Sequence, residues 1–99
     1  MAEKELQKQV IDYLRDKNIF CFSINPPDKK RMTYGTKYFL PDIYALINGV
    51  SVFLELKDAA YKKAHAERQA KQYEVRKEII KNGGLAYLIT SLDELKERL

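Results

Sequence analysis

The chain has 99 residues, 45% of them apolar and 32% charged, with a net charge of +4 at neutral pH and a pI near 9.1. This length corresponds to one domain, residues 1–99, able to bury roughly 60–70% of its unfolded surface without covalent staples. A single cysteine, Cys21, excludes an internal disulfide framework, and the apolar runs are far too short to cross a bilayer. With no charged-then-apolar leader at its start, the sequence is expected to remain in a reducing, cytoplasmic compartment without membrane contact. The positive excess suits an acidic partner, although an excess of this size is a weak pointer to nucleic acid.

Residues 3–17 have helical spacing, with Leu6, Val10, Tyr13 and Leu14 forming one apolar stripe. Glu5 and Gln9 stand one turn apart on its shoulder, where side chains can reach over a sheet edge; spacing alone suits a solvated glutamate equally well. Asn18 closes the helix. Ile19 to Ile24 reads as a strand, with Cys21 as a small core residue, and Asn25-Pro26-Pro27-Asp28 ends it. The segment 29–39 interleaves the cations Lys29, Lys30, Arg31 and Lys37 with aromatic rings including Tyr34. Such a loop can meet phosphates and stack on unpaired bases, or it can simply be solvated.

Residues 41–57 read as a β-hairpin. Asn48-Gly49 between two apolar runs supplies the two positive-φ positions of a type I′ turn. That turn sets Ile47 opposite Val50, Tyr44 opposite Phe53 and Asp42 opposite Glu55. Two carboxylates so placed repel one another unless something positive lies between them. Lys57, two residues beyond Glu55, returns to the same face, whereas Leu54 and Leu56 point the other way. An exposed Glu-x-Lys pair is usually ordinary surface. Opposed to a second acid, it becomes a candidate site for a hard divalent cation, Mg²⁺ or Mn²⁺, with the lysine beside an attacking water.

A polar connection, 58–64, leads to a helix from about His65 to Asn82, stopped by Gly83-Gly84. Its charged face carries Glu67, Lys71, Glu74, Lys77, Glu78, Lys81 and Asn82. The opposite face carries Tyr73, Val75, Ile79 and Ile80, and Gln69, Gln72 and Arg76 fall among them. A polar group there costs a few kcal/mol unless it is hydrogen-bonded, so these three are expected at the active-site end of the sheet. Leu85 to Thr90 is a short strand, and Ser91-Leu92-Asp93-Glu94 is a capping box opening a last helix to Leu99. The order is αβββαβα. A strand, long helix and strand in succession make a crossover, so the last strand is expected parallel to the Glu55 strand.

Pro41-Asp42, a spacer of twelve residues, then Glu55-Leu56-Lys57 resembles the PD-(D/E)XK nuclease signature. With Glu5 and Gln9 before it and a glutamine-bearing helix behind it, the chain is similar, from about Glu5 to its C-terminus, to the stand-alone form of the virus-type replication-repair nuclease (VRR-NUC) domain. Two departures from the family pattern are visible: Phe39-Leu40 stands before Pro41 where a glycine is usual, and no Ser/Thr-Pro precedes the helix glutamine. The resemblance implies an α/β, restriction-endonuclease-like αβββαβ core with a mixed four-stranded sheet and a short C-terminal helix. It implies metal-dependent hydrolysis of DNA, with Asp42, Glu55 and the backbone carbonyl of Leu56 as ligands and Glu5 holding a second metal or its water shell. Lys57 would activate the water, and Gln72, with Gln69 as fallback, would orient Lys57. It further implies a homodimer, formed by exchanged elements, that cuts four-way junctions in a bacterial or phage-infected cell.

Two readings of other classes compete. One is a non-catalytic nucleic-acid-binding module using the basic loop, and the other is an interaction domain whose acidic end caps a partner.

Overall fold

The computed structural model of the protein describes residues 3–24, 40–58 and 66–99. Lys29, Lys30, Arg31, Tyr34, Lys37 and His65 lie outside the described residues. The chain runs α1 (Glu3–Asp16), β1 (Phe20–Ser23), β2 (Ile43–Ile47), β3 (Val50–Leu56), α2 (Ala66–Lys81), β4 (Leu85–Ile89) and α3 (Leu92–Arg98).

Each junction follows from a local rule. Asn18 takes φ 59° and ends α1, with the Ile19 N–H donating to the Leu14 carbonyl and the Asn18 N–H to Arg15. The same 6→1 and 5→2 pair ends α2, where Gly83 at φ 96° leads to Gly84 N–H on the Ile79 carbonyl and Gly83 N–H on Ile80. Asn48 and Gly49 have φ 51° and 80°, as a type I′ turn requires. Ser91 caps α3 by accepting the Glu94 N–H at 3.1 Å, while the Glu94 carboxylate reaches back to the Thr90 N–H at 2.6 Å.

The four strands form one sheet in the order β1-β2-β3-β4, antiparallel except for the parallel β3–β4 pair. The expected register holds, with Ile47 opposite Val50 and Tyr44 opposite Phe53. This is the mixed α/β sheet, with a C-terminal helix, expected of a restriction-endonuclease-like core.

Period-2 alternation gives the sheet two unlike faces. On the inner face Cys21, Ile43, Ala45, Val52, Leu54, Leu56 and Ile89 join Leu6, Val10, Ile11 and Leu14 of α1 and Leu95 of α3 in the core. Each buried leucine there contributes about 1.5–3 kcal/mol. The outer face is built of cross-strand rungs. One is Phe20–Leu46–Ser51, the next Phe22–Tyr44–Phe53–Ala86, and beyond it come Glu55–Leu88 and Asp42.

Helix α2 lies on the outer face over β3 and β4, with Val75, Ile79 and Gly84 forming a groove against Ser51 and Phe53. Its buried stripe is narrower than the wheel predicts. Tyr73 and Ile80 are each 54% exposed, whereas Gln72 is buried. Each of the two sits one residue, about 100°, past a residue of the buried line Gln72–Val75–Ile79. Tyr73 instead packs under cations, with the Arg76 guanidinium at 5.8 Å and the Lys77 ammonium at 5.3 Å from its ring centre.

Candidate active site

The open end of the hairpin departs from ideal pairing at its most important residue. The ladder's last β2–β3 pair is Ile43–Leu54. Asp42 does not continue it, because its N–H also turns to the Leu54 carbonyl, at 2.9 Å, setting two residues against one as at a β-bulge. Its own carbonyl accepts from the Ile24 N–H at 2.7 Å, which ties the bend to β1. The bend re-aims the side chain along β3, where Oδ2 accepts the Leu56 N–H at 2.8 Å. Asp42 is thus fixed by backbone on both neighbouring strands.

Glu55 is 3% exposed, and its Oε2 lies 3.4 Å from the Gln72 Nε2 and 4.0 Å from the Lys57 Nζ. Gln72 is itself only 4% exposed, so α2 delivers an amide donor straight to the carboxylate. Three of the expected site residues on β3 and α2 therefore meet at one point. Among the described residues, Glu55 Oε1 and Gln72 Oε1 are buried without any hydrogen-bond partner. A buried orphan oxygen on a carboxylate is costly and calls for a proton, a water or a cation.

Electrostatics lead to the same conclusion. Burial, reinforced by the charge and close approach of Asp42, pushes Glu55 from its ordinary 4.5 up to about 9, against the opposing pull of Lys57 and Arg76. Burial also raises Asp42, while the Leu56 N–H, the Glu55 carboxyl, Lys57 and Arg68 hold it down. The pair prefers to keep one proton between its members, and a divalent cation can take that proton's place. The donor set of two carboxylates at the mouth of a sheet is hard oxygen chemistry, which fits Mg²⁺ or Mn²⁺.

Arg68, Gln72 and Arg76 are spaced four residues apart, so they run along one face of α2 with Gln72 at the centre. The two arginines act on Asp42 and Glu55 respectively. Arg76 stands out in the sequence among the apolar residues of α2, whereas Arg68 carries only its i−4 relation to Gln72 as a signal. Gln69 is half-buried on the same helix, so burial ranks Gln72 above it.

On α1 the outcome differs. Glu5 and Gln9 are exposed, and Glu5 lines a surface groove with Gln7, Lys8, Ile11 and Ser23. Among the described residues, no third His, Cys, Asp or Glu joins Asp42 and Glu55 in a cluster able to hold a metal. The buried glutamine of this helix is Gln7, whose Nε2 donates to the Ser23 Oγ at 2.9 Å and pins α1 to the end of β1. Its sequence neighbour Leu6 belongs to the apolar stripe, and that adjacency is the only hint the sequence offered. Cys21 is buried and free, and burial raises its thiol, as befits a core residue.

No family model matches this chain, and no curated protein matches it significantly in sequence.

Proposed function

We propose that the protein is a divalent-metal-dependent DNA endonuclease of the VRR-NUC type within the PD-(D/E)XK nucleases. The observation that carries this reading is the buried Glu55 beside the half-buried Asp42, with an unpartnered carboxylate oxygen, a lysine 4.0 Å away and a buried glutamine donating to the same carboxylate. A purely structural site gains nothing from setting a second acid against a buried glutamate, since an apolar residue of similar size would be as stable or more so. The signature that joins Pro41-Asp42 to Glu55-Leu56-Lys57 supports the same reading.

Asp42, Glu55 and the Leu56 carbonyl would hold the cation, whereas Glu5, exposed in a separate groove on α1, is given no part in holding it. The bound cation supplies charge stabilisation at the phosphoryl oxygen. The remaining chemistry belongs to the chain. Lys57 would hold the attacking water by hydrogen bonding and offset the charge of the hydroxide left when bulk solvent accepts the water's proton. Gln72 fixes the Glu55 carboxylate and, through it, the position of the lysine, so it is a positioning residue. Arg68 and Arg76 add positive charge on the α2 side, where a phosphate backbone must approach two carboxylates.

The preferred substrate is branched DNA, cut by a homodimer whose two sites face opposed strands of a four-way junction. The non-catalytic alternative, a nucleic-acid-binding module using the basic segment 29–39, differs in having no turnover. Incubation with labelled junction and linear duplex in Mg²⁺ separates the two readings. The nuclease cuts, and cuts the junction faster; binding to both with no product in Mg²⁺ or Mn²⁺ overturns it.

A further inference from the structure

Among the described residues, the outer face of the sheet is covered on one side only. Helix α2 spans β3 and β4, whereas over β1 and β2 Phe20 is 64%, Phe22 45% and Leu46 41% exposed. The rings form a continuous row across the strands. Phe22 to Tyr44 and Tyr44 to Phe53 are each 5.2 Å between centroids, and Phe20 lies 5.9 Å from Phe22. The Tyr44 hydroxyl is held by the Ser51 Oγ at 2.8 Å, which fixes the central ring. These rings take no part in the core, which is built on the opposite face.

Their position is what gives them meaning. Phe53 is two residues from Glu55 on β3, and Tyr44 is two residues from Asp42, which precedes β2, so the rings begin one strand repeat, about 7 Å, from Glu55. Arg68 and Arg76 act on Asp42 and Glu55 from α2, which lies beside the same pair. The face therefore offers cations, carboxylates and rings close together. A nucleic-acid strand offers phosphates on one edge and base faces on the other.

We infer that the Phe22–Tyr44–Phe53 row, extended by Phe20, is a stacking platform for unpaired bases of the strand whose phosphate lies at the Asp42–Glu55 site. This deepens the nuclease reading and rests on it for where the strand runs. Aromatic rings displayed on a sheet are a general means of holding single strands, because every base has a π-face and stacking tolerates any sequence. A fully paired duplex hides its base faces, so the platform selects DNA with an unpaired segment beside the cleaved bond. Strand-borne rings lose little conformational freedom on binding, which favours them over rings on a loop.

The test is binding in EDTA, where no cleavage is required, so that it stands or falls apart from the nuclease reading. The probes are a fluorescein-labelled oligo-dT, an abasic strand of the same length and a paired hairpin. The doubly substituted variant Phe20→Ala/Phe22→Ala should lose about tenfold or more in affinity for oligo-dT and little for the abasic strand, since each stacked base is worth a factor of this order. The wild type should prefer oligo-dT to both other probes. Phe22→Trp keeps a ring at the site in a chain that has no other tryptophan, so its fluorescence should be quenched by oligo-dT and not by the abasic strand. Equal affinity of the double-alanine variant and wild type for oligo-dT, or an indole signal in Phe22→Trp that ignores the bases, overturns the proposal. So does loss of self-association in the double-alanine variant with oligo-dT binding intact, which would assign the face to a second copy of the chain.

Discussion

At the scale of single residues, Glu55 is the side chain whose environment is most at odds with its chemistry. Its folded pKa, raised to about 9 from 4.5, means that the folded protein binds a proton the unfolded chain has released. For a raised acid the sign is fixed: the protein is most stable below pH 4.5 as far as this group is concerned and loses that contribution as pH climbs towards 9. The metal-free protein should therefore melt lower at pH 8.5 than at pH 6, by about 5 °C or more. Glu55→Gln, which mimics the protonated form, should flatten this dependence and melt higher than wild type at pH 8.5 while abolishing cleavage. A wild-type melting curve that rises across the same interval would mean that the pair is not a buried acid site. On the proposed function Mg²⁺ takes the proton's place, so adding it should restore the wild type most at high pH.

Lys57 and Gln72 act on the same carboxylate in different ways. Lys57→Ala should cut at a severely reduced rate and retain Mn²⁺ binding by calorimetry, and Lys57→Arg should rescue only in part, since a guanidinium differs in reach and shape. Loss of Mn²⁺ binding in Lys57→Ala would make the lysine structural instead. Gln72→Ala should reduce turnover more than Gln69→Ala, in keeping with a donor 3.4 Å from Glu55 Oε2 and with its deeper burial. The opposite ranking would transfer the positioning role one turn along α2.

At the scale of elements, the site depends on two turns that lie far from it. The positive φ of Asn48 and Gly49 sets the hairpin register, and the register sets which residues accompany Glu55. At the end of α2, a Cβ on Gly84 would lie 2.9 Å from the Ile79 Cγ2 and 3.3 Å from the Ser51 carbonyl oxygen. The helix packs against β3 through this contact. Gly84→Ala should thus cost about 1–3 kcal/mol by pushing α2 from the sheet, and it should lower cleavage by displacing Gln72 as well. Unchanged melting in this variant would show that α2 is held elsewhere.

These turns explain why so much of the fold could be read from the chain. Asn-Gly, Gly-Gly and Ser-x-x-Glu each impose one backbone geometry, so the strand order, the register and the helix ends follow from them. What the sequence hid depends on which partner a helix meets. Tyr73 and Ile80 look like core residues on a wheel, yet α2 covers only half of a sheet face and buries a line of residues narrower than an apolar stripe. The register predicts Asp42 directly opposite Glu55, but the ladder stops at Ile43–Leu54 and a bulge-like turn sets the Asp42 carboxylate on the Leu56 N–H instead, a bend tied to the Ile24 N–H that the hairpin alone does not show. Gln7 was overlooked in favour of Gln9, as spacing shows the buried stripe without showing that Ser23 awaits a donor at its edge.

At the scale of the whole molecule, the two faces of the sheet divide the work. Stability resides on the inner face, between the sheet and α1 with α3. The outer face is given over to the acid pair, the cations of α2 and the row of rings. The proposed dimer complements the proposed site: one acid pair would break one strand, and two-fold pairing of identical chains would give two sites for two opposed strands. Light scattering at micromolar concentration should report twice the chain mass of 11.6 kDa. A monomer that still resolves junctions would remove the dimer from the account and leave the site intact.

The central claim is that Asp42 and Glu55 together hold a divalent cation for phosphodiester hydrolysis. Its most direct test is a cleavage assay on one labelled four-way junction, with wild type and Glu55→Gln compared in Mg²⁺ and in EDTA. Product should appear only for wild type in Mg²⁺, while both proteins bind the junction with similar affinity. Cleavage by wild type in EDTA, or equal cleavage by Glu55→Gln in Mg²⁺, would contradict it.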